Sequence, residues 1–241
     1  MHPEKLTEGS VTETSAAGEI RAISLHGRMY QGSCYLVRAG TGFVLIDTGL
    51  ATRRAELRRA LEAAGCGPGD LRLIVLTHGD ADHAGNAAHL RDAYGVPVAA
   101  HRAEWPAIEQ GNMRLSRGEM TFARRTISSL LFRVAGLRKP DRFRPDLALE
   151  DGDDLAGHGL DARVLHLPGH SRGSIGILTA VGDLFCGDLL TSLGEPEPNS
   201  LVDDPADLQA SVERVRDLET RTVYPGHGGP FRMEQVGRQA R

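Results

Sequence analysis

The stretch LTHGDADHAG, residues 76–85, places two histidines and two aspartates within six positions. It continues an apolar run, LRLIV, that is typical of a buried strand. A lone aspartate or histidine in a loop is usually a cap or turn residue, but that explanation does not account for four together. Because loops at strand ends are where a rigid scaffold presents functional side chains, this stretch indicates chemistry rather than packing.

The composition bounds what kind of protein carries this stretch. The chain has 241 residues, of which 40% are hydrophobic and 25% charged, as in a globular protein with one large core. The net charge of −4 provides no overall basic field, so no nucleic-acid partner is expected. Three widely spaced cysteines, Cys34, Cys66 and Cys186, are predicted to be buried or partly buried free thiols. No apolar run suggests a signal peptide or a membrane span, so a cytoplasmic protein is expected.

Strand and helix patterns alternate along most of the chain. Residues 1–19 are predicted to be a loose lead-in, and helices are predicted at 52–65, 83–95 and 203–219. Strands are predicted as a hairpin in 33–49 and singly in 71–78, 96–100, 161–170, 173–180, 183–190 and 221–230. Two strand-rich halves with helices between them predict sheets packed together and covered by helices.

Residues 102–145 differ from the rest and are predicted to form a basic helical cap insertion. The favoured interpretation is an amphipathic helix whose arginines are solvated. A lid over the site, a homodimer surface and a funnel for an anionic substrate stay open as alternatives. The apolar stripe of this helix would consist of Phe122, Ile127, Leu130, Leu131 and Val134.

Four segments share one design, an apolar strand that runs into a polar turn containing glycine: LIVLTHGDADH, RVLHLPGHSRGS, DLFCGDLL and TVYPGHGGP. Together they offer seven candidate metal ligands, a number that exceeds the roughly four of one tetrahedral site and suits two metal ions. Imidazole with carboxylate is a donor set for zinc, iron or manganese. The candidates are His78, Asp80, Asp82, His83, His170, Asp188 and His227.

The six remaining histidines lack this context and are not site candidates. Among them, His166 is predicted to face a helix or the core. The others are His2, His26, His89, His101 and His158.

The segments from about Cys34 to Pro230 resemble the metallo-β-lactamase-fold superfamily. HGDADH is similar to that family's HxHxDH motif, and LIDTG, GHSRGS, CGDLL and YPGHGGP match its other motifs in order. The resemblance implies an α/β (α+β) fold, a four-layer αββα sandwich of two similar halves, with the metals at one sheet edge. It implies a single domain over residues 1–241, with the cap as an insertion.

The resemblance also implies which residues hold which metal. Metal site 1 would use His78, the residue at position 80, and His170. Metal site 2 would use Asp82, His83 and His227, and Asp188 would bridge the two ions. Asp47 matches an aspartate that shapes its turn behind the ligands and is not itself a ligand.

Asp80 departs from the family pattern, which usually has histidine at this position. Members that resemble flavodiiron oxygen reductases carry glutamate there and hold iron. Asp80 is therefore expected to act as an oxygen ligand, or to be too short and leave metal site 1 weak or empty, or to favour a harder metal than zinc. A third carboxylate makes the site less positive, which predicts a weaker Lewis acid or one tuned to iron or manganese.

These observations predict a hydrolase that needs two divalent metal ions, with zinc favoured. A metal-bound hydroxide would attack the carbonyl of an ester, lactone or thioester in a small-molecule substrate, and Asp82 would relay the proton. The alternatives are an iron-dependent oxidoreductase using oxygen or a persulfide, a phosphodiesterase or nuclease, and a binding module with a decayed site. A homodimer through the cap is a further expectation.

Overall fold

The computed structural model describes residues 10–15, 18–27, 30–117 and 141–237. Its larger sheet has seven strands in sequence order, antiparallel from β1 to β4 and parallel from β4 to β7. The strands are β1 (Ser10–Ser15), β2 (Gly18–Gly27), β3 (Tyr30–Ala39), β4 (Gly42–Ile46), β5 (Leu71–Leu76), β6 (Val98–His101) and β7 (Leu147–Leu149).

The smaller sheet has four strands in the order β13-β10-β9-β8, and only the β10–β13 pair is parallel. These strands are β8 (Ala162–His166), β9 (Ile175–Thr179), β10 (Asp183–Gly187) and β13 (Thr222–Pro225). In the sequence between β10 and β13, the chain also forms a two-stranded hairpin of β11 (Leu190–Thr191) and β12 (Glu197–Pro198).

The helices of the described residues connect these strands. They are α1 (Arg54–Ala63), α2 (Ala81–Ala84), α3 (Ala87–Tyr94), α4 (Trp105–Gln110) and α5 (Pro205–Arg216). Asp204 caps α5, because its side chain accepts the backbone N–H groups of Ala206 and Asp207. No helix in the described ranges is long and apolar enough to cross a bilayer.

Three apolar clusters separate the layers. One lies between the two sheets and includes Tyr35, Phe185 and Tyr224, and the other two lie between each sheet and its helices. Successive residues of a strand point to opposite faces, so Leu45 packs on the helix side and Val44 on the side of the other sheet. Both faces are covered, which explains why β4 is continuously apolar and β5 is apolar apart from the exposed Arg72. The predicted mixed α/β fold is confirmed.

The two halves repeat one arrangement, and this arrangement positions the site. In each half a hairpin is followed by a helix and a strand parallel to the second hairpin strand: β3-β4-α1-β5 and β9-β10-α5-β13. The carboxyl ends of parallel strands meet at one edge of a sheet, which is where open α/β sheets place their sites. The turns after β5, β8, β10 and β13 are the ones that the sequence marked with candidate ligands, and the turn after β4 carries Asp47.

Three expectations about elements need correction or stay untested. Residues 10–15 form an edge strand and residues 18–19 begin β2, so the prediction of a loose lead-in was wrong there. The predicted helix over 83–95 is divided between α2 and α3, because a turn at Gly85 and Asn86 interrupts the helical conformation. The predicted apolar stripe of the cap falls in 118–140, outside the described residues.

Candidate metal centre

All seven predicted ligands come from turns, or from the short helix α2, at one edge of the two sheets. His78 and Asp80 follow β5, and Asp82 and His83 lie on α2. His170 lies in the turn between β8 and β9, Asp188 follows β10, and His227 follows β13. The fold thus gathers side chains from both halves at a single place.

Asp188 lies at the middle of this group. Its carboxylate oxygens are 3.3 Å from His83 Nε2, 3.3 Å from His227 Nε2 and 3.6 Å from His170 Nε2. Asp82 Oδ2 lies 3.5 Å from His227 Nε2.

Asp80 lies on the other side, with Oδ2 3.3 Å from His170 Nε2 and 3.7 Å from His78 Nε2. Two subgroups have donor atoms all within 4.8 Å of one another: His78, His170 and Asp188, and Asp82, His83 and His227. The first subgroup contains His78 and His170 of metal site 1 with Asp188 in place of Asp80, and the second contains the three residues that the resemblance assigned to metal site 2.

The four site histidines all use Nδ1 for an outer hydrogen bond. His170 Nδ1 donates to the Leu201 carbonyl over 2.6 Å, and His227 Nδ1 donates to the Gln31 carbonyl over 2.8 Å. Thr77 Oγ1 donates to the Asp47 carboxylate and so accepts from His78 Nδ1 over 3.0 Å. These partners fix the tautomers and turn the Nε2 lone pairs toward the shared centre, as in metal-binding histidines.

Asp47 is the outer partner of the fourth histidine. Its Oδ2 accepts from His83 Nδ1 at 2.8 Å, and its Oδ1 accepts the backbone N–H of Thr77 at 2.8 Å. Its backbone has φ of 59°, a conformation that non-glycine residues rarely adopt, so the turn is held by these contacts. Asp47 stands behind the cluster, as the sequence analysis expected.

The donor set fits divalent metal ions. His78 Nε2, His83 Nε2, Asp80 Oδ1 and Asp188 Oδ1 are buried and have no hydrogen-bond partner. Buried polar atoms without partners are costly, and several lone pairs aimed at one place need a cation between them. Imidazole nitrogen with carboxylate oxygen suits zinc, iron or manganese.

The charges of the cluster act strongly on one another. Burial lowers the pKa of the His83 imidazole, but Asp188 and Asp47 outweigh it and hold that pKa well above its ordinary value. The pKa of His227 is raised to about 9, because the attraction of Asp188 exceeds the effect of burial. Burial raises the pKa of Asp188, yet the imidazoles of His227, His83 and His170 bring it well below its ordinary value.

The cluster opens to solvent on one side. The side chains of Asp82 and His227 are 22% and 17% exposed, whereas that of His78 is 1% exposed. Asp82 and His227 are therefore more accessible to solvent than His78.

Sequence reasoning missed Arg117. Its guanidinium forms an ion pair with Asp80 and donates to the backbone carbonyl of His170 over 2.9 Å. Burial opposes the charge on Asp80, but Arg117, His170 and His78 hold the pKa of that carboxyl well below its ordinary value. The expectation of solvated cap arginines was wrong for this residue, whose side chain is 14% exposed.

Sequence reasoning also missed Glu104, a fully buried residue that contacts two of the ligand-bearing turns. Nothing in HRAEWP distinguishes it from a glutamate at an ordinary helix start. His166 is half-buried and not part of the core, its carbonyl accepts from Arg214 of α5, and its ring stacks on His101 with centroids 4.4 Å apart. The three cysteines are buried and free, as predicted.

Comparison with known proteins agrees with this geometry. A family model described as the metallo-beta-lactamase superfamily matches residues 27–227. The chain belongs to the metallo-β-lactamase superfamily. The fold expected from the sequence motifs is thereby confirmed, and with it membership of a superfamily of metal-dependent hydrolases.

Among the superfamily relatives, the acyl-coenzyme A thioesterase MBLAC2 of Gallus gallus is 32% identical over 229 residues, covering 87% of this chain and 77% of that protein. A probable metallo-hydrolase, YqjP of Bacillus subtilis, is 29% identical over 226 residues, covering 84% and 68%. The crystal structure of TTHA1623 in a di-iron-bound form is 32% identical with a TM-score of 0.65, covering 89% of this chain and 95% of that one.

Proposed function

We propose that this protein is a dinuclear-metal hydrolase that cleaves acyl esters, with thioesters favoured over oxygen esters and lactones. The observation that carries the proposal is the set of four histidines, each held through Nδ1, whose Nε2 atoms converge on Asp188, Asp82 and Asp80. The likeness to an acyl-coenzyme A thioesterase supports the choice of substrate class.

Each metal site would be held by residues already in place. His78, Asp80 and His170 would hold one ion, Asp82, His83 and His227 the other, and Asp188 would touch both. Bound divalent ions supply Lewis acidity, which polarises a carbonyl and makes a coordinated water acidic enough to react near neutral pH.

The protein's own acid–base group would be Asp82. It lies on the exposed side of the cluster, so its carboxylate can accept the proton of the attacking water and pass it to the leaving group. Asp80 and Asp188 are more deeply buried and are surrounded by cations and imidazoles, so they serve the metals rather than the substrate.

Exposed leucines beside the cluster favour an apolar acyl group. Of the four exposed large hydrophobic residues in the described ranges, Leu193 and Leu201 adjoin the cluster, and the other two are Leu115 and Leu147. The Leu201 carbonyl accepts from His170, and Leu193 follows Ser192, whose N–H donates to the His227 carbonyl. Exposed apolar surface close to a site is a sign of binding.

The test combines metal analysis with an activity screen. Metal would be counted by mass spectrometry on protein purified without a chelator or metal-affinity tag, and short and long acyl thioesters, esters and lactones would then be assayed. About two ions per chain and turnover that Asp82→Asn reduces at least 100-fold are expected, a loss within the range for removing a proton-transfer group. Two ions with no turnover of any of these carbonyl substrates would contradict the proposal.

A second candidate is iron-dependent chemistry on oxygen or a persulfide. The third carboxylate, Asp80, and the likeness to a di-iron-bound structure favour it. Stoichiometric iron together with consumption of dioxygen or of glutathione persulfide, and no thioester turnover, would select this candidate. Zinc with thioester turnover would reject it.

A further inference from the structure

Glu104 joins the two turns that carry the ligands of metal site 1. It ends the 3₁₀ turn Arg102–Glu104 that leads into α4, and it is 0% exposed. Its Oε2 accepts the Gly79 N–H at 2.8 Å, and its Oε1 accepts the Gly173 N–H at 2.9 Å and the Ser171 hydroxyl at 2.8 Å. An ionised carboxylate accepts at both oxygens, which a glutamine side chain does not.

Two of the three donors are immediate neighbours of metal ligands, and the third, Gly173, lies in the same turn as His170. Gly79 lies between His78 and Asp80, and Ser171 follows His170. One turn belongs to the larger sheet and the other to the smaller sheet. Glu104 therefore bridges the halves at the place where the His78 and His170 rings must meet, with centroids 4.7 Å apart.

The positions of two glycines show how closely the Glu104 side chain packs against the two turns. A Cβ on Gly79 would lie 2.9 Å from Glu104 Oε2, and a Cβ on Gly173 would lie 2.8 Å from Glu104 Cγ. Neither glycine has positive φ, so backbone conformation does not demand glycine at either position. Glycine is favoured at both positions because the Glu104 side chain fills the space that a Cβ would occupy.

The far end of the same segment contacts one of these turns again. The Ser116 carbonyl accepts the Arg172 N–H at 2.8 Å, and Arg117 donates to the His170 carbonyl. Residues 102–117 thus hold the His170 turn from both ends of the segment.

We infer that Glu104 is a positioning residue for metal site 1, fixing the separation of the His78 and His170 turns without touching metal or substrate. Metal site 2 depends on it much less, because none of the three donors is adjacent in sequence to Asp82, His83 or His227, whereas Gly79 and Ser171 adjoin the metal site 1 ligands. The inference concerns metal binding, so it stands or falls independently of which substrate is cleaved.

The experiment compares Glu104→Gln with Glu109→Gln, an exposed glutamate of the neighbouring helix α4. Zinc affinity of each purified full-length variant would be measured by chelator competition, and folding by circular dichroism. We expect Glu104→Gln to lower the affinity for one of two zinc ions by 10- to 100-fold, which is the usual effect of losing a residue that orients a metal ligand. The affinity for the other zinc ion should stay unchanged. Glu109→Gln should match the unmodified protein.

A milder variant keeps the test decisive if Glu104→Gln does not fold. Ser171→Ala removes one of the three hydrogen-bond donors to Glu104 and should lower the affinity for the same zinc ion by a smaller factor. Unchanged affinity for both ions in Glu104→Gln, or equal weakening of both with the fold intact, would overturn the inference. If only Ser171→Ala is folded, unchanged zinc affinity in that variant would overturn it.

Discussion

Arg117 and Asp80 form an ion pair at the inner edge of the metal-ligand cluster, with Arg117 Nη2 2.5 Å from Asp80 Oδ2. The pair accounts for an aspartate at a position where the superfamily motif usually has histidine. Two divalent ions would bring about four positive charges and three carboxylates about three negative ones, and Arg117 restores roughly the charge that the third carboxylate removes. The charge count made from the motif alone left this residue out.

Arg117→Gln is expected to destabilise the metal-free protein by about 3 kcal/mol. Breaking a buried ion pair leaves an uncompensated charge, and the effect falls at the low end of the usual range because His170 also faces Asp80. Urea denaturation in the presence of EDTA measures it.

The matched control is Arg144→Gln, which removes an arginine whose side chain is 73% exposed. That variant should change the free energy of unfolding by less than about 0.5 kcal/mol. Equal stability of the two variants would mean that the Arg117–Asp80 pair contributes nothing to folding.

Restoring the usual histidine should not improve the site unless Arg117 is also changed. In Asp80→His the imidazole would face the guanidinium, so we expect less than one metal ion at metal site 1. The double variant Asp80→His/Arg117→Gln should again bind two metal ions per chain. Metal counts by mass spectrometry distinguish these results, and full metal content in Asp80→His alone would show that Arg117 does not decide the ligand at this position.

The candidate ligands were predictable because each belongs to a local pattern. An apolar strand ending in a glycine turn with Asp or His can be recognised within about ten residues, as in HGDADH or YPGHGGP. Their assembly follows from parallel strands ending at one edge.

Glu104 and Arg117 were not predictable in this way, since their partners lie far away in sequence. Glu104 contacts residues 25 to 69 positions away, and Arg117 contacts Asp80 and His170 at 37 and 53 positions. A charged residue in a polar helical segment is usually solvated, and only the folded chain shows that these two are not. The sequence offered one indication, the glycines near the ligand histidines. They indicate that another group packs closely against the backbone there, but they do not identify that group.

Asp47→Asn should lower metal affinity at metal site 2 by 10- to 100-fold. The amide can no longer accept from both His83 Nδ1 and the Thr77 groups, so the His83 ring loses the partner that orients it. Zinc competition with a chelator measures the affinity. Asp70→Asn, in a turn remote from the site and bonded to Gly67 N, is the control and should leave zinc affinity unchanged.

Metal affinity should rise as pH rises from 6 toward 9. In the metal-free protein the pKa of His83 is well above its ordinary value and that of His227 is about 9, because the carboxylates of Asp188 and its neighbours attract the protonated rings. These imidazoles therefore hold protons at neutral pH that metal must displace, and the pKa of His170 is shifted in the same direction. The part of the gain that comes from His227 should level off above the pKa of that residue, which is about 9. Calorimetric titration of zinc in buffers of different ionisation enthalpy gives the number of protons released, and a value near zero at pH 7 would contradict this reasoning.

Leu193→Ser/Leu201→Ser should impair long acyl substrates and spare short ones. Both leucines are more than half exposed and adjoin the backbone of residues bonded to His227 and His170, so an acyl chain of a bound thioester can cover them. Each buried methylene contributes about 0.8 kcal/mol, and partial cover of two side chains corresponds to a roughly 3- to 10-fold rise in KM. The comparison is KM for acetyl and dodecanoyl thioesters, with Leu147→Ser on edge strand β7 as the control. An equal change for both chain lengths would mean that the leucines affect the site's structure and do not select the acyl group.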